Sequence, residues 1–151
     1  MFTFCFFLSL SYSYCYEGRP AINHEIVVER SAEMIVRYEG FAPIAYRDTS
    51  GRFSIWFWTR SYEGETVTRN EAYARMQAIT RQVAKKVVKD FPEANESEVV
   101  ALVGLAYNCH GGYKKLKKYW VEYMKTPGFC TLPKHSWLLK RRAEERALFN
   151  F

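Results

Sequence analysis

Two carboxylates in this chain have the types and spacing to do chemistry together. Glu39 stands in the stretch Tyr-Glu-Gly-Phe, and Asp48 follows nine residues later at the start of Asp-Thr-Ser-Gly. Glycoside hydrolysis needs such a pair, because one acid protonates the leaving oxygen while one ionised carboxylate acts on water or on the sugar. The spacing alone is more often that of two solvated surface groups. Support for a site must therefore come from the surrounding chain.

The segments around the pair predict a helix followed by a β-hairpin. Apolar residues at helical spacing predict a first helix over Glu29 to Tyr38, which ends next to Glu39. Two strands are predicted at Ile44 to Arg47 and at Arg52 to Trp58, joined by the turn residues that begin at Asp48. A helix end and a returning strand can place the two carboxylates on opposite walls of one cleft.

The rest of the chain is predicted to be helical. Thr68 and Glu71 form a capping-box pattern that opens a long helix, predicted from Asn70 to about Asp90. Asn95 or Ser97 can cap the next helix, which is apolar nearly all round. Further helices are predicted over residues 116–124 and 138–149. The sequence therefore predicts an α+β, mainly α fold, in which a long helix joins a small β-hairpin lobe to a helical lobe.

Four motifs follow one another along the chain and share their order with a known family. They are Tyr38-Glu39-Gly40-Phe41 with Ala45-Tyr46-Arg47-Asp48, Gly51 and Ser54-Ile55; Gly64 with Val67-Thr68 and Glu71-Ala72; Ala101-Leu102 with Tyr107-Asn108 and Gly111; and Leu138 to Arg142 with Glu145 and Leu148-Phe149. Together they resemble the signature of the phage-type lysozymes, glycoside hydrolase family 24. The resemblance covers residues 29–149 and implies a two-lobed, lysozyme-like fold.

The resemblance also implies an activity and roles for individual residues. Such enzymes cleave the β-1,4 bond between N-acetylmuramic acid and N-acetylglucosamine in bacterial peptidoglycan, and they usually invert. Glu39 matches the general acid, and Asp48 matches the carboxylate that activates or positions water. Ser54 stands where the family has threonine, so a hydroxyl that could hold this water remains. Arg141, chosen over Arg142, matches an arginine that helps to set the ionisation of the catalytic glutamate.

Three tryptophans stand where the family has glycine: Trp56, Trp58 and Trp137. On the predicted strand the first two would point to the same face, towards the cleft. They could be aromatic platforms for sugar rings, or they could leave a catalytically impaired protein that only binds the cell wall. A third explanation is that UGA codons, which encode glycine in some bacterial lineages, have been translated as tryptophan. Together with Tyr46 and Asn108, Trp56 and Trp58 are predicted to line the substrate cleft.

Composition and charge narrow the class of partner. Hydrophobic residues make up 48% of the chain and charged residues 25%, as in a globular domain rather than a disordered one. The formal charge of +6 favours an anionic partner. A nucleic-acid-binding helical protein would explain the lysines at residues 114–118, yet no DNA-binding motif is present. Peptidoglycan is therefore the expected partner, without nucleic acid, and we expect a monomer that needs no metal or organic cofactor.

The N-terminal segment, residues 1–20, differs from the rest of the chain. Its first sixteen residues carry no charge and are too short for a spanning helix, which needs about 20 residues. A signal peptide or weak anchor with transient membrane contact is predicted, although a buried strand or a misassigned start would also fit. The lysozyme-like catalytic domain is then residues 21–151, and the location is the host bacterial cytoplasm followed by release or export to the periplasm or wall. Cys109 and Cys130 form a disulfide or remain two thiols.

Overall fold

The computed structural model describes residues 21–40, 42–48, 50–109, 113–114, 117 and 136–149. Four helices and three short strands are formed within this part of the chain. In order they are α1 (His24–Tyr38), β1 (Tyr46–Arg47), β2 (Phe53–Ile55), β3 (Thr59–Arg60), α2 (Arg69–Asp90), α3 (Glu96–Asn108) and α4 (Ser136–Ala147). The predicted α+β, mainly α fold is confirmed. The apolar segment, Cys130 and most of the helix predicted over residues 116–124 lie outside the described residues.

Side-chain caps explain where the helices begin. α1 starts earlier than predicted, because the side-chain oxygen of Asn23 accepts hydrogen bonds from the first free backbone N–H groups of the helix. The capping box at the start of α2 is present as predicted, with reciprocal bonds between Thr68 and Glu71. Asn95, the first of the two candidates, caps α3 through an equivalent pair of bonds with Glu98.

The sheet is antiparallel, with the strand order β1-β2-β3. Tyr46 pairs with Ser54, and Ile55 pairs with Thr59. The predicted strand from Arg52 to Trp58 is therefore wrong at its end, since the strand stops at Ile55 and residues 56–58 turn the chain into β3.

The backbone of this turn explains why the strand cannot continue. Phe57 and Trp58 have φ angles of 53° and 57°, in the left-handed region, which is incompatible with extended pairing. Trp56 and Trp58 consequently do not share a strand face. Trp56 is 3% exposed and packs in the interior, whereas Trp58 is 46% exposed. The prediction that both indoles point to the same surface is thereby corrected.

Two apolar clusters correspond to the two lobes. The first fills the helical lobe between α1, the second half of α2 and α3, and includes Val27, Val28, Ala84, Val87, Phe91, Leu102 and Val103. The second lies between α1, the sheet and the first half of α2, and consists of Ala32, Ile35, Ile55, Trp56, Phe57, Val67, Ala72 and Met76. Since α1 and α2 contribute to both clusters, the two lobes share a rigid helical support. None of the helices in the described part of the chain has the length and apolar character to cross a membrane.

Candidate active site

Glu39 is fixed at the carboxyl end of α1. Its backbone N–H donates to the Ile35 carbonyl at 2.9 Å, which closes the last turn of the helix. The residue is 7% exposed, and its Oε1 lies 2.6 Å from Nη1 of Arg141 on α4. The structure thus places Arg141, and not Arg142, against Glu39. A buried carboxylate needs such a partner, because an unpaired buried charge is strongly destabilising.

Arg141 is itself fully buried and uses all three of its nitrogen atoms. Besides Nη1, its Nε donates to Oε1 of Glu145 at 3.1 Å, and its Nη2 donates to the Gly104 carbonyl of α3 at 3.0 Å. Its guanidinium also lies over the Tyr38 ring, 5.6 Å from the centroid. These contacts join α1, α3 and α4 at one point behind Glu39.

Two further ionisable side chains complete this group. Glu145 is 0% exposed, and Nη1 of Arg142 lies 2.7 Å from its second oxygen. Nη2 of Arg142 donates to the side-chain oxygen of Asn108 at 3.1 Å. Burial raises the pKa of Glu145 to about 7, against the opposing effect of the two arginines. Burial disfavours the charged form of Arg142 as well, which lowers the pKa of its guanidinium. We call Glu39, Arg141, Arg142 and Glu145 the buried charge cluster.

Asp48 is held by the loop that follows it. Its Oδ1 accepts from the backbone N–H of Ser50 at 2.8 Å, from the Ser50 hydroxyl at 2.6 Å and from the backbone N–H of Arg52 at 3.0 Å. These bonds, the one from the Ser50 hydroxyl first, lower the pKa of Asp48 to about 2. Its other oxygen, Oδ2, accepts from the Ser54 hydroxyl at 3.3 Å. Asp48 is therefore ionised at neutral pH, with the predicted Ser54 hydroxyl beside it.

Tyr46 connects the two carboxylates electrostatically. It lies on β1, opposite Ser54, and is 37% exposed. Burial, and then the negative charges of Glu39 and Asp48, raise the pKa of its hydroxyl. The phenol is therefore within electrostatic range of both groups.

The other residues predicted for the cleft have different surroundings. Trp58 is at the surface, but Trp56 belongs to the second apolar cluster and is closed off from solvent. Asn108 is half-buried and is engaged with Arg142. Trp137 lies in α4, and its side chain is outside the described part of the structure. No group of His, Cys, Asp and Glu residues within the described ranges is arranged to hold a metal ion.

Sequence reasoning missed two contributors. Tyr107 donates from its hydroxyl to the Phe57 carbonyl and so attaches α3 to the turn at residues 56–58. Glu145 was part of a recognised motif but had no assigned role. Its spacing of three and four residues from two arginines places all three on one side of α4, which is the one signal that could have indicated the cluster.

Comparison with known proteins gives structural similarity without sequence similarity. No protein-family model matches the sequence, and no curated protein matches it. Among solved structures, the muramidase domain of SpmX from Asticaccaulis excentricus is 20% identical with a TM-score of 0.66, covering 88% of this chain and 99% of that one.

Two phage proteins are also similar in structure. An endolysin from Escherichia coli O157:H7 phage FAHEc1 is 18% identical with a TM-score of 0.54, covering 88% of this chain and 95% of the other. The active form of P1 phage endolysin Lyz is 14% identical with a TM-score of 0.57, covering 87% and 95%. The chain therefore has the lysozyme-like fold of phage endolysins and of a muramidase domain.

Proposed function

We propose that this protein is a peptidoglycan hydrolase, a muramidase that cleaves the β-1,4 bond between N-acetylmuramic acid and N-acetylglucosamine. One observation carries the proposal. A buried glutamate paired with Arg141 ends α1, and a hairpin aspartate that its own loop holds ionised follows it, with the Ser54 hydroxyl beside it. Two carboxylates in unlike environments, near one another, are what glycosidic acid–base chemistry requires.

The environment of Asp48 fits the role of base, and Glu39 takes the role of acid that the resemblance implies. Glu39, in its protonated form, donates its proton to the glycosidic oxygen as the bond to the sugar breaks. Asp48 accepts a proton from the attacking water, because its pKa of about 2 keeps it a carboxylate. The Ser54 hydroxyl lies beside Asp48 and helps to hold that water. Water then attacks the face opposite the leaving group, which inverts the sugar. Asp48 releases its proton to solvent, and Glu39 regains one from solvent.

The structural neighbours support the same substrate, since one is described as a muramidase domain and two as endolysins. On this basis the protein serves host-cell lysis by a phage. Residues 21–151 would be the catalytic domain, acting as a monomer without a cofactor. Residues 1–20 would serve as a signal or weak anchor that brings the chain from the host cytoplasm to the wall.

A second candidate is a lysozyme-like protein that binds the wall with little turnover. The observation that favours it is Trp58, which is 46% exposed and has a φ of 57° where the resembled family has glycine. An exposed indole on the hairpin lobe can stack on a sugar ring and hold glycan without cleaving it.

Release of reducing ends from insoluble peptidoglycan separates the two candidates. The unaltered protein should release them, and Glu39→Gln should reduce the rate by about 10²–10⁴-fold, because an amide cannot donate the proton. Glu33→Gln is the matched control, since Glu33 is an exposed glutamate on the same helix, and its rate should be unchanged. Binding of the unaltered protein to the wall without release of reducing ends would contradict the hydrolase and favour the wall-binding protein.

A further inference from the structure

The buried charge cluster contains one acid, Glu145, for which the proposed reaction has no use. It lies 3.1 Å from Nε of Arg141, on a different edge of the guanidinium from Glu39, which is 2.6 Å from Nη1. The third nitrogen, Nη2, donates to the Gly104 carbonyl. Since a guanidinium is planar and rigid, fixing Nε and Nη2 determines where Nη1 points.

The charges of the cluster are balanced only if Glu145 is counted. Arg141 and Arg142 are both buried, and Glu39 can offset only one of them. Glu145 contacts both arginines, through Oε1 to Arg141 and through Oε2 to Arg142. A buried charge without compensation would cost several kcal/mol. Glu145 therefore determines how much of the positive charge of Arg141 is left for Glu39.

We propose that Glu145 is a positioning residue of the site, which aims Arg141 at Glu39 and divides the positive charge of Arg141 between two carboxylates. When Glu145 is ionised, Arg141 is shared, and the ionised form of Glu39 is held less strongly. When Glu145 is protonated, the charge of Arg141 acts on Glu39 alone. The part of this inference that concerns activity rests on the proposed function, whereas the part that concerns ionisation does not.

The surroundings of Glu145 are consistent with such a role. From α4 itself it faces Arg141 and Arg142, and the charge of neighbouring Glu144 acts on it more weakly. Its neighbour on α3 is Gly104, and the sulfur of Met34 from α1 also lies next to this glycine. The pKa of about 7 that burial gives it means that it gains or loses its proton near neutral pH.

The test is a ¹³C NMR titration of the side-chain carboxyl of Glu39, assigned by the signal that disappears in Glu39→Gln. In Glu145→Gln the midpoint of this titration should fall by about one pH unit relative to the unaltered protein, because Arg141 then has one carboxylate partner. Glu33→Gln is the matched control, since Glu33 is an exposed glutamate on α1, six residues before Glu39. Its midpoint should be unchanged. Equal midpoints in all three proteins would overturn the proposal.

Two further measurements separate charge from folding. Glu145→Gln combined with Arg142→Gln restores the charge balance, so the midpoint should return towards that of the unaltered protein. A merely structural role would lower the melting temperature in both variants and leave the midpoint in place. If Glu145→Gln does not fold, the titration curve of Glu39 in the unaltered protein tests the proposal instead. Coupling to Glu145 through Arg141 should give this curve two inflections. A single inflection would then refute the proposal.

The titration does not depend on turnover, so the outcomes for the two proposals differ. A shifted midpoint without release of reducing ends would retain the role of Glu145 and reject the muramidase. Release of reducing ends with an unshifted midpoint would retain the muramidase and reject the role of Glu145. If both hold, the alkaline limb of the rate profile of Glu145→Gln should move to lower pH by the same amount as the midpoint.

Discussion

The two carboxylates of the site are held in opposite ways. Glu39 is buried, and its partner Arg141 is 102 residues away in the sequence. Asp48 lies on a hairpin, and the backbone and side-chain groups that donate hydrogen bonds to it are all within six residues. The surroundings of Glu39 therefore depend on the packing of three helices, whereas those of Asp48 depend on one loop. The difference shows how one small fold can hold two carboxylates in unlike environments.

Removing Arg141 should have the largest effect, because it leaves Glu39 and Glu145 buried without the guanidinium that both contact. We expect Arg141→Met to lower the free energy of unfolding by about 3–5 kcal/mol, measured by urea denaturation. Arg37→Met is the matched control, since Arg37 forms an exposed ion pair between the same two helices, with Glu144. Arg37→Met should lower the free energy of unfolding by less than about 1 kcal/mol. Similar losses in both variants would show that burial does not distinguish the two pairs.

Adding one methyl group at Gly104 should disturb the buried charge cluster directly. A Cβ there would lie 3.0 Å from the Met34 sulfur and 3.1 Å from Oε1 of Glu145. Glu145 is held by two arginines and cannot move away. Gly104→Ala should therefore lower the free energy of unfolding, measured by thermal denaturation, by about 1–2 kcal/mol, even though alanine has the better helix propensity. Gly40→Ala, where a Cβ meets nothing within 4 Å, should be nearly neutral. A stabilising Gly104→Ala would mean that the helices can separate without loss.

On the hairpin side, Trp58→Gly should be stabilising. A φ of 57° costs a residue with a side chain about 1–2 kcal/mol, and the indole of Trp58 is half-exposed. We therefore expect the free energy of unfolding, measured by thermal denaturation, to rise by about 1 kcal/mol. Phe57→Gly relieves the same kind of backbone strain, but it removes a ring that is 3% exposed, and it should therefore be destabilising. A loss of stability in Trp58→Gly would show that the indole packs more than its exposure indicates.

The loop around Asp48 should respond to acid independently of the buried charge cluster. The pKa of Asp48 is lowered from 3.8 to about 2, so its bonds stabilise the loop above pH 3.8 and are lost as the pH falls through about 2. The amide NMR signals of Ser50 and Arg52, which donate to it, should shift with a midpoint near 2. Asp48→Asn should abolish this transition. A midpoint near 3.8 would contradict the geometry of the loop.

The sequence allowed good prediction wherever the cause was local or carried by a motif. The capping residues of α2 and α3 were identified because their side chains bond the adjacent backbone. Arg141 was found through its motif, although nothing in its neighbourhood distinguishes it from Arg142. The turn at residues 56–58 was missed, because Trp and Phe favour strands and their residue types do not indicate a left-handed backbone.

The roles of Glu145 and Asn108 could not be predicted for a different reason. Each gets its partners from helix packing, and a glutamate near the end of a charged helix looks the same whether it faces water or the interior. Trp56 is a similar case, since its interior position follows from the turn and not from its own neighbours. Long-range contacts of this kind are decided by the fold as a whole.

The neutrality of the buried charge cluster has a consequence for ionic strength. Two arginines and two glutamates leave no formal charge when all four are ionised, so the +6 of the chain belongs to side chains elsewhere. At 0.15 M, dissolved salt screens exposed charges beyond about 8 Å, but it acts far less on buried pairs. Salt should therefore weaken the attraction of this cationic surface for anionic partners and leave the ion pairs of the cluster largely untouched.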